Sequence, residues 1–280
     1  MAENIKNGVS IFGVSGTYEG SDSGSGDSSL EDELIEGGLS TYTNDRVKTI
    51  RNCTFAYCSS LTSVNFPVCT SIGSYAFEHC TSLTSVNFPE CTSIDGYAFY
   101  SCYSLTSVNF PKCTTIGYNA FGYCSNLTTV SFPVCTSIGN YAFYECSNLT
   151  SVNFPECTTI GNSTFAYCSS LTSVSFPVCT SVGENAFLYC SSLTSVSFPK
   201  YTIIGSSAFR YCYRLSQVYL MNSSVCTLSN SNAFTSTPYT GYKNHFAGTP
   251  YIYVPTSLVA SYKSATNWVY FSSYISGYSG

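Results

Sequence analysis

Sixteen cysteines, two histidines and twenty-five tyrosines are the residues of this chain best equipped for chemistry. Thiols at ligand spacing would hold zinc, a histidine beside a serine or cysteine would activate a nucleophile, and exposed tyrosines would supply contact area. Spacing decides among these. From Cys58 to Cys190 a cysteine stands at every eleventh position, no C-x-x-C pair occurs, and His79 and His245 have no partners in a ligand pattern. Serines are abundant, yet neither a G-x-S-x-G elbow nor a phosphate-binding glycine loop accompanies them. No catalytic, cofactor or metal site is expected, and the chain reads as a non-enzyme.

The cysteine spacing is half of a longer period. Phe66, Phe88, Phe110, Phe132, Phe154, Phe176 and Phe198 recur at constant spacing, twice that of the cysteines, and each is followed by Pro. With Leu61 as position 1, one unit is LTSVNFPVCTSIGSYAFEHCTS, and a degenerate copy starts at Leu39. Nine coils result, the last opening at Leu215. Apolar residues at positions 4 and 6 alternate with polar ones, the period of a half-buried strand, and Pro at position 7 ends it. L-x-x-V-x-F-x-x-C is the leucine-rich-repeat signature with Cys at the Asn/Cys position. A small inward side chain there can donate to the backbone of the bend. Ile72-Gly73 supplies an inward residue and a permissive turn, and Ala76-Phe77 and Cys80 complete the core.

Positions 1, 4, 6, 9, 12, 16, 17 and 20 therefore face inward, and only stacking can shield them from water. The expected fold is a leucine-rich-repeat solenoid: a parallel β-sheet of nine coils, little helix, turns or 3₁₀ pieces on the far side, and a small α/β C-terminal cap. The periodic cysteines are expected to be buried free thiols. A disulfide between equivalent cysteines of adjacent coils lies within reach, although parallel Cβ vectors make it awkward.

Charged residues make up 9% of the chain, against roughly 25% in ordinary globular proteins. A net charge of −5 with no basic stripe argues against nucleic acid, and no apolar run approaches a membrane span. The opening MAENIKNGVSIFGVSG lacks the apolar core of a secretory signal.

The pattern C-x-x-L-T-S-V-x-F-P…T-S-I-G-x-x-A-F-x-x-C, from about Leu39 to Leu220, resembles the BspA-like leucine-rich repeats of bacterial surface proteins. That resemblance implies adhesion or recognition. Cysteine at position 9, where the family more often places an aliphatic residue, departs from it. NIKNGVSIFGVSGTYEG, within residues 1–20, resembles a segment of tail-associated proteins from phages of Gram-positive hosts. Residues 1–20 are accordingly read as an attachment segment to a larger particle and 21–38 as a flexible acidic linker and N-terminal cap. Residues 39–220 are the solenoid and 221–280 the C-terminal cap, with YIYVP a strand and about Thr256 to Asn267 a helix. A location on an extracellular surface or a virion follows from both resemblances.

Two surfaces are candidates for binding a host or cell-surface protein or glycan. One is a set of tyrosines at positions 18 and 19: Tyr100, Tyr123, Tyr144, Tyr167, Tyr189 and Tyr211. Tyrosine combines large area with a polar tip. The other is the outward strand face, a neutral lattice that includes Ser63, Asn65, Ser85, Asn87, Ser107, Asn109, Ser151 and Asn153. Small polar residues there could equally do no more than solvate the sheet, in which case the rod would be a structural spacer.

Overall fold

A computed structural model describes residues 40–200, 202–235 and 251–278. The proposed attachment segment (residues 1–20) and the whole of the linker and N-terminal cap (21–38) lie outside them. The described chain winds into a parallel β-solenoid of about ten turns with little helix, each coil having three sides. The first is a short strand at positions 3 to 5, as in Ser63–Asn65 and Ser85–Asn87. The second is a two-residue strand at positions 11 and 12, as in Ser71–Ile72 and Ser93–Ile94. The third, from position 13 to 20, is a run of turns. Strands pair in parallel with like on like: Val64 opposes Val86 and Ile72 opposes Ile94. A slip by one residue would turn every valine outward, so burial sets the register.

Inside, all eight predicted inward positions are filled as the spacing demands. In the coil from Leu61, residues Leu61, Val64, Phe66, Cys69, Ile72, Ala76, Phe77 and Cys80 are each at most 4% exposed. The phenylalanines form two columns. Phe66 stacks on Phe88 at 5.3 Å, Phe77 on Phe99 at 5.0 Å, and the columns meet edge to face, as at Phe77 and Phe88 (5.9 Å, 64°). Such pairs add about 0.5–1.5 kcal/mol each beyond the area they bury.

The cysteines serve the backbone. At position 9 each thiol donates to the carbonyl two positions on, as Cys91 to Ser93 at 3.2 Å. At position 20, from Cys80 onward, it donates to the phenylalanine carbonyl of the preceding coil, as Cys102 to Phe77 at 3.1 Å. All sixteen are free, with Cys53 and Cys58 half-buried and the rest buried.

Three features differ from the expectation. Glycine at position 13 is there for close approach and not for a permissive turn. A Cβ on Gly139 would lie 2.7 Å from the Gly117 carbonyl carbon, and one on Gly117 would lie 2.5 Å from that of Asp95. The left-handed backbone falls instead on non-glycine residues at positions 15 and 19, among them Tyr75, Tyr123 and Tyr189.

The row of longer strands also divides every second coil, after Ser85–Asn87, Thr129–Ser131 and Ser173–Ser175, whereas the short strands make one continuous nine-stranded sheet. Val86, Val130 and Val174 beside the divisions are half-buried, while Val64, Val108 and Val152 are buried. No residue type alternates with this two-coil period, and nothing else in the structure accounts for it.

Finally, the period lengthens after Leu220 without stopping. Thr227 pairs with Ile203, two positions later than the repeat would place its partner, and Ala233-Phe234 fall into the core on a 3₁₀ turn. Tyr251–Pro255 and Ile275–Tyr278 then add two more parallel strands to the row of longer strands. Between them the α-helix spans only Val259–Ser264, since the chain turns extended at Ala265, and Asn267 in a left-handed conformation then opens a 3₁₀ turn over Trp268–Tyr274. The buried Tyr262 hydroxyl accepts the Cys226 N–H at 2.9 Å and the Trp268 indole donates to the Cys226 carbonyl at 2.7 Å, pinning this end to the last coil.

Candidate functional site

From position 15 to position 20 the turn side follows one rule. N–H groups at even positions close overlapping turns, as Ala76 to Gly73, Glu78 to Tyr75 and Cys80 to Phe77. Those at odd positions cross to the next coil: Tyr75 to Gly96 at 3.0 Å, Phe77 to Ala98 at 2.7 Å and His79 to Tyr100 at 2.8 Å. Left-handed backbone at positions 15 and 19 makes this alternation possible, at a cost of about 1–2 kcal/mol per residue that the crossing bonds and phenylalanine burial offset. Positions 16, 17 and 20 point in. Positions 15, 18 and 19 are left on the outside, where the tyrosines are.

All six tyrosines expected there join in one run. Ring centroids lie 5.4 Å apart from Tyr100 to Tyr123, 5.4 Å to Tyr144, 5.5 Å to Tyr167, 5.0 Å to Tyr189 and 4.3 Å to Tyr211. His79 and Tyr57 extend the run toward the first coil and Tyr213 toward the last. A second row, Tyr75, Tyr97, Tyr118 and Tyr141, was missed from the sequence, although recurrence of Tyr at position 15 in three coils was the available signal. It joins the first at Tyr97 to Tyr100 (5.4 Å) and Tyr141 to Tyr144 (5.6 Å).

Most contacts at the two ends of this belt cover ring faces. Tyr57 stacks on His79, Tyr75 on Tyr97, and Tyr167, Tyr189 and Tyr211 on one another. A ring stacked on both sides keeps only its edge and hydroxyl for a partner, whereas Tyr57, at the end of the run with His79 on one side, is 59% exposed. Desolvation pushes the Tyr144 phenol up to about 12, helped by Tyr123 and Glu145. Desolvation also raises Tyr100 and Tyr123, so these hydroxyls stay neutral donors at physiological pH. At the far end Arg210 lies 4.7 Å over the Tyr211 ring and donates to its hydroxyl at 2.8 Å.

The strand face is arranged differently. Ser63 and Asn65 are half-buried; Ser85, Asn87, Ser107, Asn109, Ser151 and Asn153 are exposed. Asn87 donates to the Asn65 side chain at 2.7 Å. Position-2 threonines donate to the carbonyl one coil back, as Thr84 to Thr62 and Thr128 to Thr106, each at 3.0 Å. These hydroxyls serve the stack. On the short-strand side Lys112 meets Glu90 at 2.6 Å with both side chains exposed, a pair worth about 0–1 kcal/mol.

Among the described residues no three His, Cys, Asp or Glu side chains are placed to hold a metal ion, and no helix is long and apolar enough to cross a membrane. A stack of near-identical coils with a patterned outer surface defines the chain as a repeat-built solenoid. The BspA type leucine rich repeat region, in six copies, matches residues 40–136 and 136–243, and the chain belongs to that family.

Solved structures agree with this assignment. A leucine rich repeat protein of T. pallidum is 27% identical, with a TM-score of 0.51 over 64% of this chain and 79% of that one. A leucine rich cell surface protein of Faecalibacterium prausnitzii A2-165 is 28% identical, with a TM-score of 0.53 over 68% of this chain and 50% of that one. This chain thus spans half of the Faecalibacterium protein. A leucine-rich repeat protein of Bacteroides ovatus, 23% identical with a TM-score of 0.50 over 84% and 76%, shares the fold. No curated protein matches.

Proposed function

We propose that this chain is a non-enzymatic recognition or adhesion module whose tyrosine belt contacts a protein on a cell surface. The observation that carries the reading is the unbroken ring-to-ring run from Tyr100 to Tyr211 on one side of a rigid stack. Because neighbours occupy many of the ring faces, the belt offers edges and neutral hydroxyls, which suit the mixed surface of a protein better than the flat face of a sugar. The cell-surface description of the Faecalibacterium relative supports an extracellular setting. Attachment to a virion or other particle through residues 1–20 belongs to the same reading and rests on the sequence alone.

The test is binding of the labelled full chain to intact bacterial and epithelial cells, before and after protease treatment of the cells. Binding should be protease-sensitive and lost in a Tyr123→Ser, Tyr167→Ser, Tyr189→Ser variant, and nearly unchanged when Ser151, Asn153 and Ser173 become alanine. The opposite ranking would move the site to the strand face. Binding to no cell would favour the spacer, which the inward use of the threonine hydroxyls already favours for the strand side.

A further inference from the structure

The strand face changes character at its C-terminal end. Its outward position 5 is Asn or Ser in every coil from Asn65 to Ser197, and then becomes Tyr219, which pairs in register with Tyr253 on the next strand. The two rings stack at 4.8 Å and 13°. Tyr278 stands edge-on to both, at 6.2 Å and 6.5 Å, and is 45% exposed. This cluster lies on the strand side, and no ring contact joins it to the tyrosine belt among the described residues.

Opposite Tyr219 in the sheet register stands Ser197, and Ser175 holds the same repeat position one coil further back, across the division after Ser173–Ser175; both are exposed. The surface therefore steps up from hydroxymethyl groups to an aromatic ring. Tyr219 is half-buried; Tyr253 stacks on one face of its ring, and the register places Ser197 on the opposite side. Gln217, exposed and paired with Ser195, flanks the step with an amide.

We propose that the step between Ser197 and Tyr219 is a subsite for one neutral pyranose unit of a glycan. The sugar's C–H face, weakly positive, lies against the negative face of the Tyr219 ring. Its hydroxyls exchange hydrogen bonds with Ser197, Ser175 and Gln217, all of them uncharged donors or acceptors. A protein partner would want an apolar core around the ring. This shelf has none, and the strand positions around it carry no charge to select an anionic ligand.

The probes are neutral hexasaccharides of glucose, mannose and N-acetylglucosamine, titrated calorimetrically into the full chain, with polygalacturonate as the charged control. At least one neutral hexasaccharide should bind, and Tyr219→Ala should weaken it at least about tenfold. Ser197→Tyr, which fills the step with a further ring and removes none, should abolish binding without lowering the thermal midpoint. The triple belt variant should bind the sugar as the parent does, so that failure of this site and failure of the belt are told apart. No binding of any neutral hexasaccharide, preference for polygalacturonate, or binding indifferent to both Tyr219→Ala and Ser197→Tyr would overturn the assignment.

Discussion

Tyr144 and Tyr167 sit at different positions of successive coils, yet their ring centroids are 5.5 Å apart with the planes at 70°. Glu145 occupies position 19 between Tyr123 and Tyr167, so without Tyr144 the belt would divide into two shorter pieces. Replacing Tyr144 by Ser should weaken cell attachment by more than replacing Tyr57 at the end of the run, with thermal midpoints close to the parent's. Equal losses would mean that the belt acts as separate contacts and not as a strip. Serine is a fair replacement at position 19 as well, because Ser101 already holds that left-handed conformation.

Stability should follow the two faces of a coil. Phe132 is 1% exposed and stacks on Phe110 and Phe154, so Phe132→Ala should cost about 3–5 kcal/mol through the cavity it leaves. Thr128 on the same coil is exposed, but its hydroxyl donates to the Thr106 carbonyl at 3.0 Å, and Thr128→Ala should cost about 0.5–1.5 kcal/mol. Denaturant titration of both variants checks this, and a Thr128→Ala cost equal to or above that of Phe132→Ala would overturn the assignment of faces.

Gly139→Ala should be costly despite the small change. Its new methyl would meet the backbone of Gly117, which no rotamer change can move aside, and overpacking of this kind costs about 1–3 kcal/mol. Chemical denaturation giving an unchanged midpoint would show that coils can separate locally to admit the methyl.

Alkali should destabilise the protein. Burial pushes the Cys135 and Cys179 thiols up to about 11 and those of Cys91, Cys124, Cys157 and Cys226 up to about 12. A thiol with a raised folded pKa contributes fully below its unfolded value, about 8.5, and loses that contribution as pH climbs toward the folded value. The urea midpoint should be flat from about pH 6 to 8 and fall between about pH 9 and 11. A midpoint rising across that window would contradict the buried-thiol core.

Thiol labelling offers a separate check. Native protein should react first at Cys53 and Cys58, the two half-buried cysteines, and at the others only on unfolding. Rapid modification of Cys102 or Cys146, both fully buried, would show the coils to be loose.

Period and polarity alone determined the coil: Leu61, Val64, Phe66, Cys69, Ile72, Ala76, Phe77 and Cys80 could be placed inside because a side chain's need to leave water is written in its own type and repeat position. The same reasoning marked Tyr100, Tyr123, Tyr144, Tyr167, Tyr189 and Tyr211 as outward. It did not show that positions 15, 18 and 19 meet, since the left-handed backbone of Tyr141 and Tyr167 brings together rings whose sequence offsets say nothing of direction. Nor did it reveal why Gly139 must be glycine, because that depends on the backbone of Gly117 one coil away. The tyrosine cluster at Tyr219, Tyr253 and Tyr278 likewise exists only because the last strands return to the row of longer strands in parallel. Burial is a property of each residue's own chemistry, whereas contact between coils is a property of their register, and only the tertiary structure decides that.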